Sequence, residues 1–335
     1  MSSAPTPQEI ARDARWLVQA LDPAAGQARL IAMDANSYRA ASFLDDRMLQ
    51  QPVDAQLVPW PLIEEAASLV ARCDARWIFH IGHVGSTLVS RLLGEVEKVL
   101  AVREPRVLRD LALTPAEVRG RYVEPIPAMA SRTFAEDEIA CIKATSWVSE
   151  IAPELVPPGE RALFMFASPR NYIASILAGE NSVKELRMLA DTRMQRLAGR
   201  GIRLAPGSND AELAGIAWAC EMTALEAASE AMADRAIAWA DFDRMLDDMA
   251  VALKSAADHF GFAADPSTVA AITSGPLMSS YSKALEYDYS ADLRRELINE
   301  AEQYHRSHIE SALAMLRSAA EKSPLLGRAL ARAEG

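Results

Sequence analysis

The run Arg76-Trp77-Ile78-Phe79-His80-Ile81-Gly82-His83-Val84-Gly85-Ser86-Thr87-Leu88-Val89-Ser90-Arg91-Leu92-Leu93 decides the fold class. Its first six residues form a short, largely apolar stretch with no turn-forming residue, which predicts a buried strand. Two glycines then break the pattern, and over 88–93 the apolar residues recur at helical intervals. A strand, a tight glycine turn and a helix in that order present backbone N–H groups and the positive end of a helix dipole to an anion. Gly82-His83-Val84-Gly85-Ser86-Thr87 is therefore a candidate phosphate cradle. The plainer alternative is that Gly82 and Gly85 only turn the chain and Ser86-Thr87 cap the helix.

Outward from this run the strand pattern repeats. Val99-Leu100-Ala101-Val102 closes a βαβ unit of the usual size, about 30 residues. Ile139-Ala140-Cys141-Ile142, Ala162-Leu163-Phe164-Met165-Phe166 and Ala236-Ile237-Ala238-Trp239 read as further strands, with long helical patterns between them. The expected fold class is α/β: a P-loop three-layer fold with a central parallel sheet flanked by helices, plus N- and C-terminal helical additions. Over 7–22, Ile10, Ala14, Trp16, Leu17 and Leu21 fall at helical intervals before Asp22-Pro23, which predicts an N-terminal helix, and 62–72 is a second amphipathic stretch. From Arg294 the chain reads as helical, with Leu297, Ala301, Tyr304, His308, Ala312 and Leu316 close to one face. The expected division is one domain over 1–335, with a core at about 76–262, a helical insertion at about 179–215 and C-terminal helices at about 290–330.

Composition narrows the function classes. The chain has 335 residues, half of them hydrophobic, enough for a substantial core. Its 35 Lys+Arg against 46 Asp+Glu give a net charge of -11, and no basic run is long enough to track a nucleic-acid backbone, so no nucleic-acid partner is expected. Cys73, Cys141 and Cys220 are odd in number and lack CxxC spacing, which points away from a disulfide framework or zinc site and toward a reducing compartment. Met1-Ser2-Ser3-Ala4-Pro5 opens no secretory leader, and no stretch reaches the roughly 20 apolar residues of a membrane span. A cytoplasmic protein with no membrane partner is expected.

The loop is not of the ATP/GTP type, which needs a second glycine five residues after the first, then Lys and Ser/Thr. Position 87 is a threonine and no lysine follows. Gly82-His83-Val84-Gly85-Ser86-Thr87 ahead of an apolar helix instead resembles the loop of the sulfotransferase family, in which a basic residue, Ser-Gly-Ser/Thr-Thr and an apolar helix hold the 5′-phosphosulfate end of 3′-phosphoadenosine 5′-phosphosulfate. Gly85, Ser86 and Thr87 match that core. His83 stands where the family's basic residue stands and retains a partial cation near neutral pH.

Further landmarks follow in the family's order over about 76–262. Phe166-Ala167-Ser168-Pro169-Arg170-Asn171-Tyr172-Ile173-Ala174-Ser175 resembles the 3′-phosphate motif, with Ala167 in place of its arginine, so the resemblance leaves either Ser175 with Arg170 as the contacts for that phosphate or a nucleotide that lacks it; the plainer alternative is a proline at the first turn of a helix beside a solvent-facing Arg170. Glu104, in Val102-Arg103-Glu104-Pro105-Arg106, lies where relatives often carry the carboxylate that deprotonates the acceptor, at the sheet edge where ligands gather. An alternative role for Glu104 is to pair with Arg103 or Arg106 and hold a loop. Lys143, ahead of Ala144-Thr145-Ser146-Trp147, resembles the family's Lys-Thr-Pro segment and is a candidate to neutralise charge on the departing phosphate, or else a surface lysine. Trp239-Ala240-Asp241-Phe242 and Phe260-Gly261-Phe262 resemble landmarks of the fold.

Two features remain. His305 and His308 are spaced i, i+3 without carboxylate or cysteine partners, so no metal is expected. Lys184, Arg187, Arg193, Arg196, Arg200 and Arg203 form a basic stretch, readable as a lid over an anionic nucleotide or as a solvated helical face.

The resemblance implies transfer of a sulfuryl group from 3′-phosphoadenosine 5′-phosphosulfate to a hydroxyl or amine of a small-molecule acceptor. Gly82, His83, Val84, Gly85, Ser86 and Thr87 then hold the 5′-phosphate, His83 and Lys143 stabilise the leaving group, Glu104 is the base, and Ser175 with Arg170 meets the 3′-phosphate. The rival readings are a P-loop kinase or other nucleotide-dependent transferase, and a non-catalytic protein that binds a nucleotide or partner on the same fold.

Overall fold

Runs of alternating or continuous apolar residues build two sheets among residues 4–279 and 291–335, which the computed structural model describes. β1 (Trp16–Asp22), β2 (Gln27–Ala32) and β3 (Ala55–Pro59) pair antiparallel in that order. β4 (Arg76–His80), β5 (Val99–Arg103), β6 (Ile139–Lys143), β7 (Arg161–Phe166) and β8 (Ala236–Asp241) form a parallel sheet in the order β5-β6-β4-β7-β8. The first strand of the parallel sheet is thus its centre, and the chain reverses its direction of winding beside it. That switch point opens a crevice at the carboxyl ends of the strands.

Successive residues Trp77, Ile78 and Phe79 are all fully buried, so both faces of the central strand are covered, as a parallel sheet requires. Helices Ser86–Leu93 and Met249–Phe260 pack on the sheet and on each other, while Asp210–Ala231 packs on β4, on Ser146–Ile151 and on Pro169–Leu177. Met249–Phe260 stops at Gly261 in the left-handed region (φ 75°), and the Phe262 N–H reaches back to the Ala257 carbonyl at 2.8 Å. This is a glycine-terminated helix of the ordinary kind. The α/β class with a central parallel sheet is as expected, and each of the sheet's five strands coincides with an expected run.

The N-terminal helical addition is corrected. A helix covers only Pro7–Arg12, closed at its start by the Thr6/Glu9 capping box. The residues after it form a hairpin: Asp22 Oδ1 accepts from the Ala24 and Ala25 N–H groups, and Gly26 turns the chain at φ 63°. Leu17, Val18 and Leu21 gain more by pairing with β2 in a buried antiparallel ladder than by continuing a helix.

The C-terminal helices are as expected, three in number: Ala291–Tyr304, Arg306–Ala320 and Pro324–Glu334. The reading of one shared face is corrected. Ala312 and Leu316 are buried, but Tyr304 is 85 % exposed at the break and Leu297 is 47 % exposed. His305 is the junction residue between two helices, so it and His308 do not lie on one uninterrupted helix. Met1, Ser2 and Ser3, on which the leader reading partly falls, and residue 290 at the start of the C-terminal segment lie outside the described residues. No helix among the described residues is long and apolar enough to cross a membrane.

Cysteine chemistry follows from burial. Burial pushes the Cys141 thiol in β6 and the Cys220 thiol in Asp210–Ala231 up to about 12, whereas Cys73 is exposed. A thiol reagent at neutral pH is expected to titrate one group in the native protein and three in denaturant. Rapid native labelling of a second would contradict this packing.

Candidate active site

β4 ends and the chain turns through left-handed φ values at Gly82 (82°), His83 (55°) and Gly85 (59°) before helix Ser86–Leu93 begins. His83 takes this conformation without being glycine, a local strain of the kind found at ligand sites. Gly85 has no alternative. A Cβ there falls 1.9 Å from Cζ of Phe242, the residue that follows β8. The loop is thus clamped from below by a buried aromatic ring.

It is also held from the side. The Gly82 N–H donates to His80 Nδ1 at 2.9 Å, which leaves His80 Nε2 to donate to the Ala144 carbonyl at 2.9 Å. One imidazole, in one tautomer, fixes the loop to the end of β6. Above the loop, Arg294 of Ala291–Tyr304 donates to the His83 carbonyl at 3.4 Å and to Asp243 at 3.3 Å, while Asn171 donates to the other Asp243 oxygen at 2.8 Å. Asp243 therefore ties the ends of β7 and β8 to the C-terminal helices.

A cleft of about 730 Å³ opens at this edge. That is room for a ligand of nucleotide size. All six loop residues line it, with Ser86 and Thr87 buried, and so do Glu104, Lys143 and Ser175. The Lys143 ammonium, 1 % exposed, bonds the Glu104 carboxylate, and the Glu104 N–H donates to the Lys143 carbonyl at 2.7 Å. Thr145 Oγ1 donates to the second Glu104 oxygen at 3.5 Å, and Arg47 lies 3.7 Å from it. Glu104 itself sits at φ 53°.

The neighbours considered for Glu104 go elsewhere. Arg103 turns under the sheet and donates to the carbonyls of Tyr38, Arg39 and Ala41, closing the end of helix Ala35–Ala40. Arg106 pairs with Asp46 and with Asp110. Lys143 is likewise buried, which removes the surface-lysine alternative.

Arg170 does not join the cleft. Its guanidinium donates to Glu302 at 2.9 Å and Glu310 at 2.6 Å, joining Pro169–Leu177 to the C-terminal helices. Ala167 is buried, and its carbonyl accepts from the Trp218 indole at 3.0 Å, so this position belongs to the core. Ser175 Oγ donates to the Tyr172 carbonyl at 2.8 Å and still faces the cleft.

The basic stretch divides. Arg187 pairs with Asp210, and Arg196 and Arg200 bind Glu150, with Arg196 also on Glu221. Lys184 and Arg203 are exposed. Arg193 alone of the six lines the cleft.

Sequence reasoning missed one wall. The connection after β2 delivers Phe43, Asp45 and Arg47, anchored where the Leu44 N–H donates to the Arg103 carbonyl at 2.8 Å. Arg47 stacks 3.3 Å from the Phe43 ring and pairs with Asp45 at 2.7 Å. Burial works to raise the Asp45 carboxyl, but the Arg47 bonds outweigh it and hold it below the usual range, helped by Arg109. No run of apolar residues marks this wall; its only signal is Phe43 and Arg47 in a polar loop.

Chemically, the edge combines an amide-rich turn at a helix N-terminus, a buried carboxylate and a buried ammonium. Among solved structures the chain is similar to the sulfotransferase domain from the curacin biosynthetic pathway, with a TM-score of 0.38 and 12% identity over 65% of this chain and 83% of that one. It is also similar to the sulfotransferase domain from the Synechococcus PCC 7002 olefin synthase, with a TM-score of 0.38 and 14% identity over 68% and 86%. No family model matches the chain, and no curated protein matches it.

Proposed function

We propose that the chain transfers a sulfuryl group from 3′-phosphoadenosine 5′-phosphosulfate to the hydroxyl or amine of a small molecule. The observation that carries this reading is the convergence of the glycine loop with the Lys143–Glu104 pair in one cleft. Such transfer needs positioning and charge neutralisation more than covalent help from the protein.

In this reading the amides of 83–87, with Ser86 and Thr87, hold the 5′-phosphate at the helix N-terminus. The acceptor oxygen or nitrogen bonds to sulfur as the bond from sulfur to the bridging phosphate oxygen breaks. The acceptor proton passes to Glu104, and the electron pair stays on the nucleotide phosphate. As Glu104 becomes neutral its hold on the Lys143 ammonium weakens, which frees that charge, together with His83, for the developing phosphate anion. The pair thereby couples proton removal to stabilisation of the leaving group.

Calorimetric titration tests the donor: 3′-phosphoadenosine 5′-phosphate is expected to bind at least tenfold tighter than AMP or ATP with magnesium. Preference for ATP with magnesium would overturn the reading in favour of a kinase. Glu104→Gln is expected to keep that affinity and to lower kcat by about 10² or more, the usual contribution of a general base. Full transfer by this variant removes Glu104 from the role. Binding without transfer is the second reading, favoured because Lys143 and Glu104 already satisfy one another; absence of turnover in a chain that binds the nucleotide tightly is its signature.

A further inference from the structure

We propose that Arg193 anchors a second oxyanion in the cleft, apart from the one held by the glycine loop, so that this site takes ligands bearing two anionic groups. Arg193 lies in helix Ala190–Gly199, is only 7 % exposed, and lines the cleft. Its Nε and Nη1 atoms are buried without a hydrogen-bond partner among the described residues. A guanidinium cannot shed its proton to escape this situation, and its planar fork suits phosphate or carboxylate. A buried charge with unmet donors destabilises the empty protein and is relieved when an acceptor arrives.

The surroundings point the same way. Arg196, one turn on, is bonded to Glu221 and Glu150, so those carboxylates are already engaged. Glu185, the other acid beside this wall, is exposed and makes no ion pair with Arg193. Tyr172 neighbours both the loop and the guanidinium: its ring meets the His83 ring edge-on at 6.2 Å, and burial pushes its hydroxyl up against the opposing pull of the Arg193 charge. Ser175, on the same helix as Tyr172, faces the cleft from this side. The guanidinium thus stands beside the loop on the wall formed by 180–199. Among the described residues it is the one basic side chain of that stretch that lines the cleft.

The shared chemistry is an oxyanion, and it has two sources: the ribose phosphate of the donor nucleotide or an acidic group on the acceptor. Assigning it to the nucleotide rests on the proposed function; the subsite itself does not. The test compares the unmodified chain with Arg193→Met and Arg193→Lys. Ligand-free Arg193→Met is expected to have an unchanged or higher Tm, because a buried unpaired charge has gone. Inorganic phosphate is expected to raise the Tm of the unmodified chain more than that of Arg193→Met at equal ionic strength.

In calorimetry, a loss of about 30-fold or more for 3′-phosphoadenosine 5′-phosphate in Arg193→Met, with AMP changed less than threefold and Arg193→Lys intermediate, assigns the oxyanion to the nucleotide. Equal nucleotide affinities, combined with a lost phosphate effect when AMP saturates the loop, assign it to the acceptor. If the unmodified chain binds no adenine nucleotide but the phosphate effect still depends on Arg193, the subsite stands and the sulfuryl-transfer reading falls. A lower ligand-free Tm in both variants with an unchanged phosphate effect overturns the proposal, since Arg193 is then a packing residue.

Discussion

Lys143→Met is expected to lower the stability of the protein by about 3–5 kcal/mol, the cost of breaking a buried ion pair from one side. Lys143 is 1 % exposed and the Glu104 side chain 11 % exposed, so the carboxylate left behind gains little from water. Thr145 at 3.5 Å and Arg47 at 3.7 Å are its remaining partners among the described residues, both at the edge of useful distance. The loss should be read from urea unfolding as a lower midpoint with an unchanged slope. Replacing both residues, Lys143→Met with Glu104→Leu, should restore most of the stability, because no unpaired charge then remains. A loss below about 1 kcal/mol in the single variant is the size expected of a surface pair and would mean that water reaches Glu104. The double variant has a further use: a chain that folds without the pair but no longer turns over separates the chemistry of these residues from their role in stability.

How much of this site can be read from sequence depends on the range of the interactions that build it. The loop and the five strands of the parallel sheet are legible because their signals are local: a continuous apolar run, two glycines, then a change to helical period. The N-terminal hairpin is less so, since Leu17 and Leu21 satisfy a helical interval as well as a buried strand. What separates the two is Asp22-Pro23-Ala24-Ala25-Gly26, a turn between two apolar runs. Arg170 shows the limit more sharply. Its neighbours along the chain give no sign of its partners, because Glu302 and Glu310, more than 130 positions away, come to it through the packing of C-terminal helices. Arg193 is hidden for the opposite reason. It lies in a row of basic residues that looks solvated, and only the fold shows that Arg187 and Arg196 are paired while Arg193 is turned inward. Glu104 is found by its position at a strand end, but its partner Lys143 comes from the adjacent parallel strand, a register that one sequence does not encode locally.

Gly85→Ala is the sharpest test of how the loop is held. At φ 59° an alanine bears a backbone cost of about 1–2 kcal/mol, and its Cβ meets the Phe242 ring at 1.9, 2.1 and 2.6 Å from three ring carbons. Overpacking of this kind adds about 1–3 kcal/mol. Phe242 cannot swing aside freely, because it is 1 % exposed and the Arg294 guanidinium stands 5.1 Å from its ring. The loop must move instead, turning its N–H groups away from the proposed phosphate site, so nucleotide affinity is expected to fall at least tenfold along with stability. Gly82→Ala supplies the control. Its φ of 82° is equally unfavourable, but the nearest atom to an added Cβ is Ser146 Oγ at 3.9 Å, so only the backbone cost of about 1–2 kcal/mol applies. Equal losses in the two variants would show that backbone conformation, and not the Phe242 ring, demands glycine at 85. If the ring is the cause, Gly85→Ala combined with Phe242→Leu should lose less than the two single changes together, because the smaller side chain vacates the space that the new methyl needs.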